Sequence, residues 1–326
     1  MKLIKLVFGI FIIFAIGVNI SKAQDNKNKK TMVSLVLSSG GARGIAHIGV
    51  IEELERQGFE IRSISGTSMG ALVGGMYAAG KLDVYKEWMC SLGKMDVLNL
   101  IDFTLSRNGL IKGEKIIKEM KKMIPDRNIE DLPITYTAVA TDIVNGKEVI
   151  FNSGSLYDAI RASISIPTVF KPFNVNGSML VDGGVLNPIP ISIVKRHDND
   201  ILIVVDVGSD KKYETQTVKR KEIKINEKQN KLLFKMQDTI NNIIPKSKTD
   251  KLSYYNLLNK STSLMVQKIS EMTLEKYKPD ILIEIPKSSF GTYDFYKSTE
   301  IIELGTNETK KELQKYFNNK TISKKK

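Results

Sequence analysis

The chain has 326 residues, 42% hydrophobic and 26% charged, with a formal net charge of +13. That balance excludes a disordered or low-complexity chain, and the length allows one large domain or two small ones. Cys90 is the only cysteine, which excludes an internal disulfide, so stability must come from a hydrophobic core; beside Trp88 and Met89 it reads as a buried apolar filler.

In chain order, basic Met1–Lys5 precedes an uncharged run from Leu6 to Asn19 and a small-x-small pattern at Ser21-Lys22-Ala23. This predicts a secretory signal peptide over residues 1–23, with an uncleaved anchor as the alternative, and hence a periplasmic, outer-membrane-associated or secreted protein. A polar spacer, 24–32, follows. Met32–Leu37 is an apolar run fit for a central strand, and Ile45, Ile48, Ile51 and Leu54 mark a helix to Gln57, stopped at Gly58. Glu60–Ser65 alternates as a strand, and Ala71–Ala79 reads as a buried helix. This β-α-β-α order predicts a wound α/β domain with a mostly parallel sheet.

Leu82–Ser91 and Gly113–Ile124 read as helices, with a loop over Asn108–Lys112. Ile134–Ala140 and Glu148–Phe151 read as strands around a turn at Asn145-Gly146, and Ser155–Ser165 as a helix stopped before Pro167. Met179–Val181 leads into Asp182-Gly183-Gly184. Pro188–Arg196 reads as a helix and Ile201–Val205 as a buried strand. Residues 33–210 thus form a catalytic core, 211–275 a basic helical insertion, 276–317 a closing strand and helices, and 318–326 a frayed tail. Residues 211–326 carry a net charge of +11, against +2 for residues 1–210. Such a basic third suits an anionic membrane surface, or is a solvated lysine-rich face. No nucleic-acid module is visible.

Three segments carry chemistry. Gly66-Thr67-Ser68-Met69-Gly70 is a G-x-S-x-G pentapeptide between strand and helix, a context that thrusts a serine from a tight turn beside a positive helix end. Gly40-Gly41-Ala42-Arg43-Gly44, also between strand and helix, can turn backbone N–H groups toward one oxyanion. Arg43 can add charge or brace the loop. A base is needed, and the chain has two histidines. His47 lies within a helix and reads as packing. His197, fifteen residues after Asp182, would complete a Ser68-Asp182-His197 order like that of α/β-hydrolases, although it sits in a polar stretch. Alternatively Asp182, on a tight turn after an apolar run, acts on the serine directly. A nucleotide site is disfavoured: no G-x-G-x-x-G and no P-loop Lys-Ser/Thr follows the first strand.

Together, Ser39–Gly44, Gly66–Gly70 and Asp182-Gly183-Gly184, with Arg161–Pro167 before the aspartate, resemble the oxyanion loop, nucleophile elbow and D-G-A/G motif of patatin-like phospholipases. The resemblance runs from about Val33 to Val207 and more faintly over Lys278 to Leu313. Ser39 departs from the usual first glycine of G-G-G. The resemblance implies a three-layer α/β/α fold and a serine esterase active on phospholipid or related acyl esters. It also implies a dyad of Ser68 as nucleophile and Asp182 as base, with oxyanion donors at Gly40, Gly41 and Arg43 and no metal or cofactor. Some exported bacterial relatives add an outer-membrane barrel; this chain looks like the exported domain alone. A catalytically silent lipid-binding scaffold is the remaining alternative.

Overall fold

A computed structural model of the protein describes residues 30–106, 109–175, 177–213 and 254–323. The expectations for the leader 1–23, most of the spacer, the first part of the basic insertion and the last three residues lie outside the described residues.

The apolar run Thr31–Leu37 forms β1, buried from Val33 onward. A 3-10 turn, Gly41–Ile45, leads into α1 (Ala46–Arg56). After β2 (Phe59–Thr67), a single residue, Ser68, separates the strand from α2 (Met69–Ala78). An excursion follows: α3 (Leu82–Ser91), α4 (Lys94–Asn99), the antiparallel hairpin of β3 (Phe103–Ser106) with β4 (Gly109–Ile111), and α5 (Glu114–Met123). The chain then returns as β5 (Thr135–Asp142), β6 (Lys147–Phe151), α6 (Leu156–Ser163), β7 (Phe173–Val175) and β8 (Ser178–Asp182). Last come β9 (Ile201–Ser209), α7 (Tyr254–Tyr277), β10 (Ile281–Pro286) and α8 (Ser298–Ser323).

The sheet order is β10-β9-β1-β2-β5-β8-β7, with β6 also on β5. From β10 to β5 every pairing is parallel, and β6, β8 and β7 add antiparallel pairings at one side. This is the mostly parallel α/β sheet that the element order predicts. One face packs on α1, α2 and α8 through residues such as Leu35, Ile51, Val73 and Ile301. On the other face, Val36 and Val204 pack under Ile189 and Ile191, with Leu274 and Tyr277 of α7 alongside.

That second face differs from expectation. Pro188–Arg196 is not a helix and holds only a 3-10 turn at Ile191–Ile193. Pro188 and Pro190 lack N–H donors, and the sheet takes over the carbonyls a helix would have used. Alternation along β2 puts Ser63, Ser65 and Thr67 on one face. Ser65 Oγ donates to Pro190 O (2.8 Å), Thr67 Oγ1 to Asn187 O (2.8 Å), and the Ser34 and Ser63 hydroxyls reach Lys195 O. A small hydroxyl ladder therefore holds an irregular segment flat against the sheet.

Three smaller corrections follow from packing. The expected loop at 108–112 contains β4, whose backbone docks on Val169 and Phe170. Cys90 is exposed: α3 buries Leu82, Tyr85 and Met89, and the residue after Met89 is turned about 100° off that face. The closing stretch, read as one or two helices over Ser298–Phe317, is one helix, α8, and it continues to Ser323, into the stretch expected to fray.

Candidate active site

Parallel β1 and β2 bring the glycine loop and the serine turn to the C-terminal edge of the sheet, and antiparallel β8 ends there with Asp182. Ser68 has φ 56° and ψ −121°, a conformation that non-glycine residues rarely adopt and that costs on the order of 1–3 kcal/mol. The strain is enforced by contact: a Cβ on Gly70 would lie 2.2 Å from Leu37 O, so only glycine lets the start of α2 fold down over β1. The Ser68 amide donates to Ser163 Oγ (2.8 Å), and Ser163 Oγ donates to Val139 O (2.7 Å). Ser163 thus ties the elbow to β5. Ser68 is only 3% exposed.

Asp182 ends β8, opposite Ala140 of β5, and its amide donates to Ser165 O (2.8 Å). Ser68 Oγ donates to Asp182 Oδ2 at 2.5 Å, and the Gly184 amide donates to Oδ1 at 2.7 Å. Burial pushes the Asp182 carboxyl up to about 6, while those two hydrogen bonds pull the other way. At neutral pH it is ionised yet more basic than an ordinary carboxylate. The loop carrying Ser165 is gripped by Arg161, buried at the end of α6, which donates to Ser165 Oγ (2.5 Å), to Lys171 O (3.0 Å) and to Lys112 O. Phe170 packs under its guanidinium.

The glycine loop abuts both partners. Gly41 sits at φ 57° with Thr292 against it, and the Ala42 amide donates to Thr292 O (2.9 Å). A Cβ on Gly44 would fall 2.5 Å from Met69 Cβ, the residue after the serine. Ser39 Oγ lies 3.0 Å from the position of a Cβ on Gly184, so the loop also touches the aspartate turn. The Arg43 side chain braces this loop: its Nε donates to Val207 O (3.1 Å) and its Nη1 faces Lys287 O and Phe290 O (both 3.3 Å).

Neither histidine joins the pair. His47 is fully buried, and its Nε2–H donates to Ser38 O (3.0 Å), propping the strand end just before the loop. Burial lowers its pKa to about 4, so the ring is neutral. His197 sits at the opposite edge of the sheet. Ile201 pairs with Val33, and Val33 with Ile61 at the start of β2, whereas Ser68 lies beyond the strand's far end. Seven residues at ~3.3 Å each separate the two ends by about 20 Å. The Ser68-Asp182-His197 arrangement is therefore not assembled.

Sequence reasoning brought Ser68, Asp182 and the loop 39–44 to one place, but gave Ser163 no role of its own. The one available signal was its position in Arg161–Pro167, a stretch of small polar residues at a helix end before proline.

Fold and site define a class: a mixed α/β sheet whose strand edge presents a strained serine against a buried carboxylate, beside a glycine loop. The family profile described as patatin-like phospholipase matches residues 35–195. An uncharacterized NTE family protein of Mycobacterium tuberculosis is 32% identical over 322 residues, covering 84% of this chain and 89% of that one. The lysophospholipase NTE1 of Yarrowia lipolytica is 35% identical over 185 residues, 54% of this chain but 13% of that much longer protein. Among solved structures, VipD from Legionella pneumophila aligns with a TM-score of 0.44 at 15% identity, covering 89% of this chain and 67% of that one. The chain belongs to the NTE family, with a patatin-like phospholipase domain over residues 35–195.

Proposed function

We propose that the protein is a serine acyl hydrolase that cleaves acyl esters of phospholipids or lysophospholipids through a Ser68–Asp182 dyad and an acyl-enzyme. The single observation that carries this reading is the 2.5 Å hydrogen bond from Ser68 Oγ to Asp182 Oδ2, made by a serine on a strained elbow. The lysophospholipase activity in the name of the yeast relatives points to the substrate class.

Asp182 accepts the Ser68 proton as Oγ attacks the ester carbonyl. The oxygen that gains charge is held by amides of the glycine loop, at Gly40, Gly41 and Arg43, aided by the positive end of α2. Protonated Asp182 returns its proton to the departing alkoxide, leaving the acyl group on Ser68. A water then attacks, giving its proton to Asp182; the carboxylic acid departs and the proton returns to Ser68 Oγ. A carboxylate lifted to about 6 is suited to both halves, because a base is most effective when its pKa approaches the working pH.

A lipid panel of diacyl phospholipids, lysophospholipids and neutral glycerides tests the reading. Free fatty acid is expected from at least one phospholipid class with native protein and none with Ser68→Ala. Native protein that releases none from any substrate would favour the silent lipid-binding scaffold.

A further inference from the structure

The C-terminal edge of the sheet carries exposed apolar side chains on the turns after β5 and β8, and one helix extends that edge outward. α7 returns antiparallel to β9 and β10 and is pinned where those strands end. Its Gln267 side chain donates to the Asp210 carboxylate just past β9, and Lys287, just past β10, donates to Gln267 Oε1 (3.0 Å). Leu274 and Tyr277, further along, pack on the sheet face. The turns before Gln267 therefore stand clear of the sheet on the side where Ser68 lies, and thirteen residues at 1.5 Å extend about 20 Å. Residues 257–265 are all exposed. Leu257, Leu258, Leu264 and Met265 share one side at spacings of one and seven residues, and each is between 47% and 58% exposed. Residues 254–266 contain one charged side chain, Lys260, and no acid.

Across the same edge, Val144 tops the turn after β5, two residues beyond Asp142, and is 68% exposed. Leu186 follows the Asp182-Gly183-Gly184 turn and is also exposed. Exposed apolar side chains thus lie on both sides of the Ser68–Asp182 pair and on the helix beyond it. Large apolar side chains left exposed along one edge in this way point to an interaction site.

We propose that this edge, with the outer half of α7, docks the protein peripherally on a lipid–water interface, an inference that deepens and rests on the acyl-hydrolase reading above. Among the described residues no helix is long and apolar enough to cross a membrane, so α7 lies in the interface and does not span it. Lys260 is the only charge on the projecting turns and no acid accompanies it, which favours anionic headgroups. Seated this way, Leu257, Leu258, Leu264 and Met265 enter the acyl boundary on one side of the site and Val144 and Leu186 on the other. The carbonyl to be cleaved then reaches Ser68 without leaving the lipid phase.

The test is co-sedimentation with vesicles of phosphatidylcholine alone or with phosphatidylglycerol, using Ser68→Ala, Ser68→Ala with Leu257→Asp and Leu264→Asp, and Ser68→Ala with Val144→Asp. The single variant should bind, more tightly to the mixed vesicles, and each added set of aspartates should weaken binding by about tenfold or more. With Ser68 intact, the same aspartate variants should hydrolyse a monomeric, water-soluble short-chain ester at the native rate, which also reports correct folding, and lose activity on vesicles. Val144→Asp acts on a separate turn and leaves α7 untouched. Binding is read without turnover, so a protein that sediments with vesicles but cleaves no ester keeps this inference and loses the hydrolase reading. Equal vesicle binding by all variants would overturn it. So would a native dimer that Leu257→Asp with Leu264→Asp splits, which would give the face to a second copy, or a soluble protein partner lost with those residues while vesicles never bind.

Discussion

Two serine–aspartate hydrogen bonds sit on the same sheet, at opposite ends, in opposite surroundings. At the edge where β9 begins, Ser34 bonds the Asp200 carboxylate. Ser34 lies within β1, completely buried, and Asp200 also meets Arg196 (2.6 Å) and the His197 amide (2.8 Å). Burial pushes Asp200 up, but Arg196, Ser34 and that amide together hold it below the ordinary carboxylate range. At the other edge, Ser68 is strained at φ 56°, and the groups acting on Asp182 are burial, Ser68 and the Gly184 amide, with no cation among them. There burial wins, and the carboxyl rises to about 6. The same two residue types thus make a structural clasp when the acid has a countercharge and the serine an ordinary backbone. On the proposed reading they make a nucleophile and base when the acid has neither countercharge nor solvent and the serine is thrust out of its turn.

The largest contrast is expected from removing each hydroxyl. Ser68→Ala should lower kcat for ester hydrolysis by roughly four decades or more, while Ser34→Ala should leave it within about twofold, measured on a soluble ester. Removing each acid should separate the pairs by sign of stability as well as by activity. Asp182→Asn should lower kcat by on the order of a thousandfold. It should also stabilise the protein at pH 8 by up to ~3 kcal/mol, since a carboxyl raised from 3.8 to about 6 penalises the folded state once ionised. That gain should build as pH rises from about 4 to 6 and vanish below 4. Asp200→Asn should do the opposite: a loss of about 1 kcal/mol, moderate because Arg196 is half-exposed, present at neutral pH and disappearing as pH falls through the acid range. Thermal unfolding against pH checks both signs.

A smaller effect is expected from Ser163→Ala, which frees the Ser68 amide and Val139 O from their shared partner. It should lower kcat about tenfold, by the loss of roughly 1–2 kcal/mol of positioning, with KM little changed. Ser163→Thr should restore part of it.

Much of the candidate catalytic edge was legible because its parts are local. Gly66–Gly70 encodes the elbow through small residues at the two positions where α2 crosses β1 and β2, and the glycine loop follows a buried strand as such loops must. The sheet was legible for the same reason, since runs such as Leu35–Leu37 and Ile201–Val205 fit only a central parallel strand. What stayed hidden depends on distant partners. The Pro188–Arg196 segment lost its helix to hydroxyls on β1 and β2, and nothing within the segment announces Ser34, Ser63 or Ser65. Cys90 and Met89 are neighbours in sequence and fall on different sides of α3, whose burial is set by the packing of Tyr85 and Leu82. His197 suited a triad by chain order alone, and only strand register shows that it lies at the wrong end. Ser163 stood out only as part of Arg161–Pro167 for a related reason, because it joins the Ser68 turn to β5, and the two meet only after folding.

The most direct test of the Ser68–Asp182 pair is the site and pH dependence of covalent labelling by a fluorophosphonate, read by mass spectrometry of the intact protein and its peptides. The account predicts one adduct, on the peptide containing Ser68, with a labelling rate that rises through a midpoint near pH 6 and is lost in Asp182→Asn but not in Asp200→Asn or His197→Ala. Labelling that is absent from Ser68, or that proceeds at the native rate in Asp182→Asn, would contradict it.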